Sequence, residues 1–319
     1  MNISVLGCGR WGTFIAWYLN KINHNVTLWG RNSSHNLTIL KETHKNEFLE
    51  LPENVHITSD LEKAVCEAEV IVISISAQNL RDLISKISQY NLENKIIVLC
   101  MKGIECSTGK RLTQVVRDYV KDNVGVAVWV GPGHVQDFVN NIPNCMVIDS
   151  ENSSVKDYLI KNFSSNMIRF YYGTDLIGSE IGAAAKNVIG IAAGILDGMN
   201  LQSLKGALMS RGTREIACLI KAMGGNELSA YGLCHLGDYE ATLFSLHSRN
   251  RKFGEALAKG ENFDKLAEGA STATALVNLG KKYKTELPIC NAVNNVIHNK
   301  KQVSSEFSNL FLRSLKQEF

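Results

Sequence analysis

The sequence predicts an α/β protein of two domains, a doubly wound sheet over residues 1–177 followed by an all-helical domain over residues 178–319. Three observations carry this. Short apolar runs of strand length alternate with helical spacings through the first half, the pattern of a sheet covered on both faces. Gly7-Cys8-Gly9-Arg10-Trp11-Gly12 stands where the first strand passes into the first helix. From about residue 178 the strand-like runs stop and only long helical periodicities continue.

The first strand spans residues 3–6, and Trp11, Phe14, Ile15, Tyr18, Leu19 and Ile22 then fall at helical spacing. Residues 26–30 form the second strand. Strand, G-x-G-x-x-G, helix and strand thus lie within about 30 residues, the context a dinucleotide-binding, Rossmann-type fingerprint requires. Gly7 permits the tight turn, Gly9 lets backbone amides approach a pyrophosphate, and Gly12 lets the helix sit close to the sheet. The helix N-terminus, at Arg10 and Trp11, offers unpaired N–H groups and a partial positive charge to the phosphates. At the end of the second strand, Gly30-Arg31-Asn32 holds no acid for a ribose 2′-hydroxyl but one arginine suited to a 2′-phosphate. NADP or NAD is therefore the expected cofactor, with NADPH favoured.

Further strands are expected at 70–75, 96–100, 124–130, 145–148 and 167–171, with helices near 59–66, 79–89 and 108–120. Their alternation implies a parallel sheet with ligands at the carboxyl ends of its strands. Two such ends lead into Met101-Lys102-Gly103 and into Gly131-Pro132-Gly133-His134.

Composition is that of an ordinary globular protein, 45% hydrophobic and 20% charged, and a net charge of +3 makes no electrostatic case for nucleic acid. The cysteines at 8, 66, 100, 106, 145, 218, 234 and 290 include no Cys-x-x-Cys pair, so reduced thiols in a cytoplasmic setting are expected, with no disulfide frame and no metal site. Met1-Asn2-Ile3-Ser4-Val5-Leu6 lacks a basic n-region, so no secretory or transit segment is expected. The tail at 300–319 reads as a short amphipathic helix carrying Phe307, Leu310, Phe311 and Leu315.

In the second half, Lys186 is the single charge in an apolar run between Glu180 and Asp197. An ammonium there is costly without a partner or a task. Gly182, Gly190 and Gly194 share its helical face, and glycines weaken a helix by about 1 kcal/mol each, so something must approach that face closely. Taken alone, the segment reads rather as a structural lysine snorkelling out of a buried helix, and the rest of the chain overturns that reading. The run of about 16 residues falls short of the ~20 that span a bilayer, so no membrane insertion is expected. Ser248-Arg249-Asn250-Arg251-Lys252 is a dense donor cluster that suits phosphate, and His235-Leu236-Gly237-Asp238 closes a turn just before it.

Together these motifs resemble the bacterial-type NAD(P)-dependent glycerol-3-phosphate dehydrogenase family. The resemblance rests on Gly7–Thr13, Leu28–Arg31, Lys102–Glu105, Lys186–Ile189, Asp197-Gly198, Leu236–Asp238, Ser248–Gly254, Ala267–Gly269 and Glu286–Ile289. It implies reversible conversion of dihydroxyacetone phosphate and sn-glycerol 3-phosphate, for glycerophospholipid synthesis, by a cytoplasmic homodimer. It gives Lys186 the acid/base role, since burial brings a lysine's pKa toward working pH. Lys102 becomes a second cation at the same oxygen, and Asp238 a partner for the ammonium or a substrate hydroxyl. Ser248, Arg249 and Asn250 are implied to clamp the phosphate, with Asn187, Thr242, Gly131 and Gly133 also around the substrate. Gly7, Gly9, Arg10, Trp11, Gly12, Arg31, Lys102, Val135, Arg249, Leu266 and Glu268 are implied around the cofactor.

Gly131-Pro132-Gly133-His134-Val135 departs from the Gly-Pro-Ser/Thr-Phe-Ala usual in the family and lacks its hydroxyl. His134 and His235 are read as structural. Two rival readings stand beside the resemblance: a related β-hydroxyacid dehydrogenase, and a catalytically weak nucleotide sensor with a relaxed substrate loop.

Overall fold

Residues 1–314, 317 and 318 are described by a computed structural model. Its strands are β1 (Asn2–Leu6), β2 (Asn25–Trp29), β3 (His56–Thr58), β4 (Val70–Ile73), β5 (Ile96–Leu99), β6 (Gly125–Val130), β7 (Asn144–Asp149) and β8 (Ile168–Tyr172). They form one sheet in the order β3-β2-β1-β4-β5-β6-β7-β8. Val70-Ile71-Val72-Ile73 is wholly buried, as a parallel strand covered on both faces must be. Leu6 stands in register with both Trp29 and Ile73, so the strand order reverses beside the carboxyl end of β1. That switch point is where such sheets bind ligands.

The helices of this part are α1 (Arg10–Lys21), α2 (His35–Thr43), α3 (Leu61–Cys66), α4 (Leu80–Ile87), α5 (Leu112–Arg117), α6 (Val135–Val139) and α7 (Ser153–Phe163). Asp60 caps α3 by accepting from the Lys63 N–H, and Asn152 caps α7 through Ser154 and Val155. Phe14, Tyr18, Trp129 and Phe163 fill one face of the sheet, and the Tyr18 hydroxyl donates to the Phe163 carbonyl.

The expected all-parallel sheet needs correction at one pairing, because β7 runs antiparallel to β6. The link between them holds only α6, five residues long. At 1.5 Å per residue that helix covers about 7.5 Å, too short to recross a strand of about 20 Å, so the chain turns back instead. The longer α7 then provides a true crossover, and β8 lies parallel to β7. Sequence periodicity also passed over α2 and β3. In α2 only Leu37 and Leu40 are buried, and β3 is a three-residue edge strand.

The remaining helices are α8 (Leu176–Gly198), α9 (Lys205–Ala222), α10 (Arg249–Lys259), α11 (Glu268–Lys282), α12 (Pro288–His298) and α13 (Val303–Phe311). Contacts divide the chain into a sheet unit, Met1–Lys102 with Lys110–Glu180, and a helical unit, Gly103–Gly109 with Ile181–Phe319. The division falls inside α8, and the segment after Lys102 belongs with the helices: the Cys106 thiol donates to the Ser271 carbonyl at 3.0 Å. In the sheet unit, Glu180 is buried and accepts from Arg111 and from both the backbone and hydroxyl of Thr113. In the helical unit, α13 buries Phe307; Leu315 of the expected amphipathic tail lies outside the described residues.

At 23 residues α8 is longer than its apolar run and passes for a membrane span by length and composition, yet it is almost wholly buried within the protein. It is a core helix.

Candidate active site

In the sheet unit, Gly7 leaves β1 with φ +125°, a backbone conformation that favours glycine, and a Cβ there would stand 2.1 Å from the Ser74 carbonyl oxygen. A Cβ on Gly12 would stand 1.9 Å from the Gly7 carbonyl oxygen, so the helix lies directly on the turn. Gly9 differs: a Cβ there meets nothing within 4 Å. The backbone at Gly9 therefore borders open space, and α1 begins beside it with no side-chain cap and no acid in its first turn. These features fit a pyrophosphate, whose charge the helix N-terminus would complement. Trp11, half-buried, lies 5.0 Å from Phe14 and 6.2 Å from Phe138 between ring centres. Arg31 is exposed just beyond β2, where the chain offers no carboxylate.

At the end of β5, the Lys102 ammonium donates to the Gly131 carbonyl at 2.7 Å, which joins the two strand ends singled out by sequence. Gly133 has φ +148°, and a Cβ on it would meet the Phe138 ring at 2.5 Å. Phe138 in turn stacks on Phe14 at 4.9 Å. The ring beneath the loop takes the space a side chain on Gly133 would need. His134 opens α6, and Val135 is buried behind it.

In the helical unit, Lys186 is buried and its nitrogen lies 3.1 Å from Asp238 Oδ2 and 2.7 Å from the Thr242 hydroxyl. Thr242 sits in a π-turn, Glu240–Phe244, and donates its own proton to the Asp238 carbonyl at 2.7 Å. Its oxygen must therefore accept from Lys186. The carboxylate compensates the buried ammonium, and the two acceptors fix the direction of its nitrogen.

At Gly194 the glycine face of α8 admits another backbone. Cβ atoms on Gly194 and Gly254 would stand 1.8 Å from the Arg251 carbonyl oxygen and 2.0 Å from the Ile191 carbonyl oxygen respectively. A Cβ on Gly190 would meet the Thr242 methyl at 2.7 Å. Close packing of α8 on α10 brings the donor cluster beside Asn187. Ser248 caps α10, its oxygen accepting from the Arg251 N–H at 3.3 Å, and Arg249 is exposed at the helix start. Asn250 donates to Asn187 Oδ1 at 3.0 Å and accepts from the Gly269 N–H at 3.0 Å. The amide proposed for phosphate is thus also a brace between α8 and the start of α11, where Glu268 stands. Leu266, just before, is exposed.

His235 is fully buried, with Nδ1 2.9 Å from the Gly182 carbonyl and Nε2 2.7 Å from the Tyr239 hydroxyl. A carbonyl only accepts, so Nδ1 carries the proton and Nε2 accepts from Tyr239. Burial pushes its pKa down to about 4, so it is a neutral brace under the turn that carries Asp238.

In the helical unit Lys186 meets Asp238 and Thr242, and Asn187 meets Asn250, which follows Ser248 and Arg249 at the start of α10; in the sheet unit Lys102 reaches Gly131, and the glycine turn stands separately. Sequence reading missed Phe138, the His235–Tyr239 pair and a buried group around Asp197. Only the Asp197-Gly198 pair gave any local signal of the last.

Comparison with known proteins follows the same division. A family model described as NAD-dependent glycerol-3-phosphate dehydrogenase N-terminus matches residues 2–156, and its C-terminus counterpart matches residues 175–308. Glycerol-3-phosphate dehydrogenase [NAD(P)+] of Thermoanaerobacter sp. (strain X514) is 34% identical over 100% of this chain and 99% of its own length. The Fusobacterium nucleatum protein of that name is 36% identical over 100% and 98%. Among solved structures, the glycerol-3-phosphate dehydrogenase of Coxiella burnetii superimposes with a TM-score of 0.93 at 27% identity, covering 98% of this chain and 99% of that one. A ketopantoate reductase from Ralstonia eutropha, at 14% identity and a TM-score of 0.64, shares the fold alone. Matched in both halves and along its whole length, the chain belongs to the NAD-dependent glycerol-3-phosphate dehydrogenases, oxidoreductases that use NAD or NADP.

Proposed function

We propose that this protein interconverts dihydroxyacetone phosphate and sn-glycerol 3-phosphate, with Lys186 as its acid/base. The observation that carries this reading is the Lys186 nitrogen, held by Asp238 and Thr242 on a helix packed against the phosphate-type donors of α10. When bound, NAD(P)H supplies a hydride to the ketone carbon. Lys186 Nζ gives a proton to the ketone oxygen as it becomes an alkoxide, and in the reverse direction takes one from the C2 hydroxyl. Asp238 stabilises the ammonium, and Lys102 is read as a second cation for the same developing charge.

Arg249 suits the phosphate as a forked, charge-assisted donor, and the Ser248 hydroxyl retains a proton to give although its oxygen caps the helix. Asn187 and Asn250, tied to each other, hold that donor set in place. Gly7, Gly9, Arg10, Trp11 and Gly12 are the residues read as holding the cofactor, together with Arg31, Val135, Leu266 and Glu268, and Arg31 inclines the choice to NADPH. A cytoplasmic homodimer serving glycerophospholipid synthesis completes the reading.

The test is absorbance at 340 nm with purified protein, dihydroxyacetone phosphate, and NADPH or NADH in turn. Oxidation of cofactor is the expected result. Reduction of a 3-oxo acid but not of the triose phosphate would favour a β-hydroxyacid dehydrogenase. Cofactor binding without turnover would favour a sensor.

A further inference from the structure

Asp197, near the C-terminal end of α8, has a side chain only 10% exposed and faces two cations that are 9% exposed. Lys205 Nζ lies 2.7 Å from Asp197 Oδ1, and Arg251 Nη1 lies 2.6 Å from Asp197 Oδ2. Each cation also holds backbone. Lys205 donates to the Leu243 carbonyl at 3.0 Å, and Arg251 Nε donates to the Ser245 carbonyl at 3.1 Å. Glu255 adds one weaker contact to Arg251 at 3.2 Å.

The backbone they hold is not an arbitrary loop. Leu243 follows Thr242, whose hydroxyl faces Lys186, and the chain from Ser245 leads in three residues to Ser248 at the start of α10. The π-turn ends at Phe244, and the backbone leaves it extended at Ser245. The two cations thus add side-chain hydrogen bonds to the carbonyls on either side of this exit. One carboxylate keeps two buried cations compensated and aimed.

We infer that Asp197 is a positioning residue for the substrate loop: through Lys205 and Arg251 it fixes the 243–245 backbone, and with it Thr242 and Ser248. The inference rests on the function proposed above. It makes Asp197 act on substrate handling from a point where it touches neither substrate nor cofactor.

Asp197→Asn keeps the shape and removes the charge. In the purified full-length protein, KM for dihydroxyacetone phosphate should rise roughly tenfold or more, with a fall in kcat, because a displaced Thr242 no longer aims Lys186. The dissociation constant for NADPH, read by tryptophan fluorescence, should stay within about twofold of wild type. A merely structural role would lower the melting temperature without separating these constants. Wild-type turnover with substrate KM and kcat unchanged in Asp197→Asn overturns the inference alone; a wild-type chain without turnover removes the proposed function and this inference with it. Should Asp197→Asn fail to fold, Lys205→Met decides. It leaves the Asp197–Arg251 pair in place and removes the Lys205 bonds to Asp197 and to the Leu243 carbonyl, so a raised substrate KM supports the inference and unchanged kinetics overturn it.

Discussion

The carbonyl oxygen of Arg251 lies 1.8 Å from where a Cβ on Gly194 would stand. Two helix backbones touch there. The next turn of α10 repeats the arrangement, since a Cβ on Gly198 would meet the Glu255 carbonyl oxygen at 2.8 Å. Glycines that weaken α8 as an isolated helix thus set its distance from α10, and that distance places Asn250 beside Asn187.

Gly194→Ala should destabilise the protein although alanine is the better helix former. The gain in propensity is about 1 kcal/mol, while a methyl group driven into fixed backbone costs about 1–3 kcal/mol or more. A lowered melting temperature together with a raised substrate KM is expected. Gly206→Ala on α9, where a Cβ meets nothing within 4 Å, should show neither change. Equal melting temperatures for the two variants would refute the packing account.

Lys186→Met removes the proton donor while keeping most of its volume. Turnover should fall by about 10²–10⁴ while NADPH binding persists. Asp238, 1% exposed, would then be buried opposite no ammonium, so a drop in melting temperature should accompany the loss. Steady-state rates and cofactor fluorescence titration measure both. Turnover within about tenfold of wild type would remove Lys186 from the acid/base role.

Arg31→Ala should weaken NADPH far more than NADH, because only the former presents a 2′-phosphate to the guanidinium. Comparing KM for the two cofactors checks this. Equal loss for both would leave Arg31 as a charge on a loop.

Glu215 accepts from the Ile289 and Cys290 N–H groups at the start of α12, and burial pushes its pKa up to about 7 from 4.5. A carboxyl that binds its proton more tightly when folded stabilises the fold fully below its unfolded pKa. That contribution is lost as pH rises through about 7. Urea unfolding of wild type should therefore show stability declining from about pH 4.5 to above 7, and Glu215→Gln should flatten that slope. An unchanged slope in the variant would assign the decline to other groups.

By itself the sequence determined whatever is encoded in neighbouring residues. The glycine turn was legible because Gly7, Gly9 and Gly12 act on the backbone of their own strand and helix. Lys186 was legible because one charge in an apolar run needs no partner's position to be conspicuous. Arg31 stood out by the absence of an acid next to it. The tertiary structure decided what depends on which distant element arrives. It turned β7 back on β6, set Phe138 where a side chain on Gly133 would go, and put α10 against Gly194 of α8. It also gave Asn250 its tie to Asn187 and Gly269, and Asp197 its two cations. Local backbone chemistry needs only contiguous residues, whereas packing partners are chosen by long-range burial that no short stretch of sequence contains.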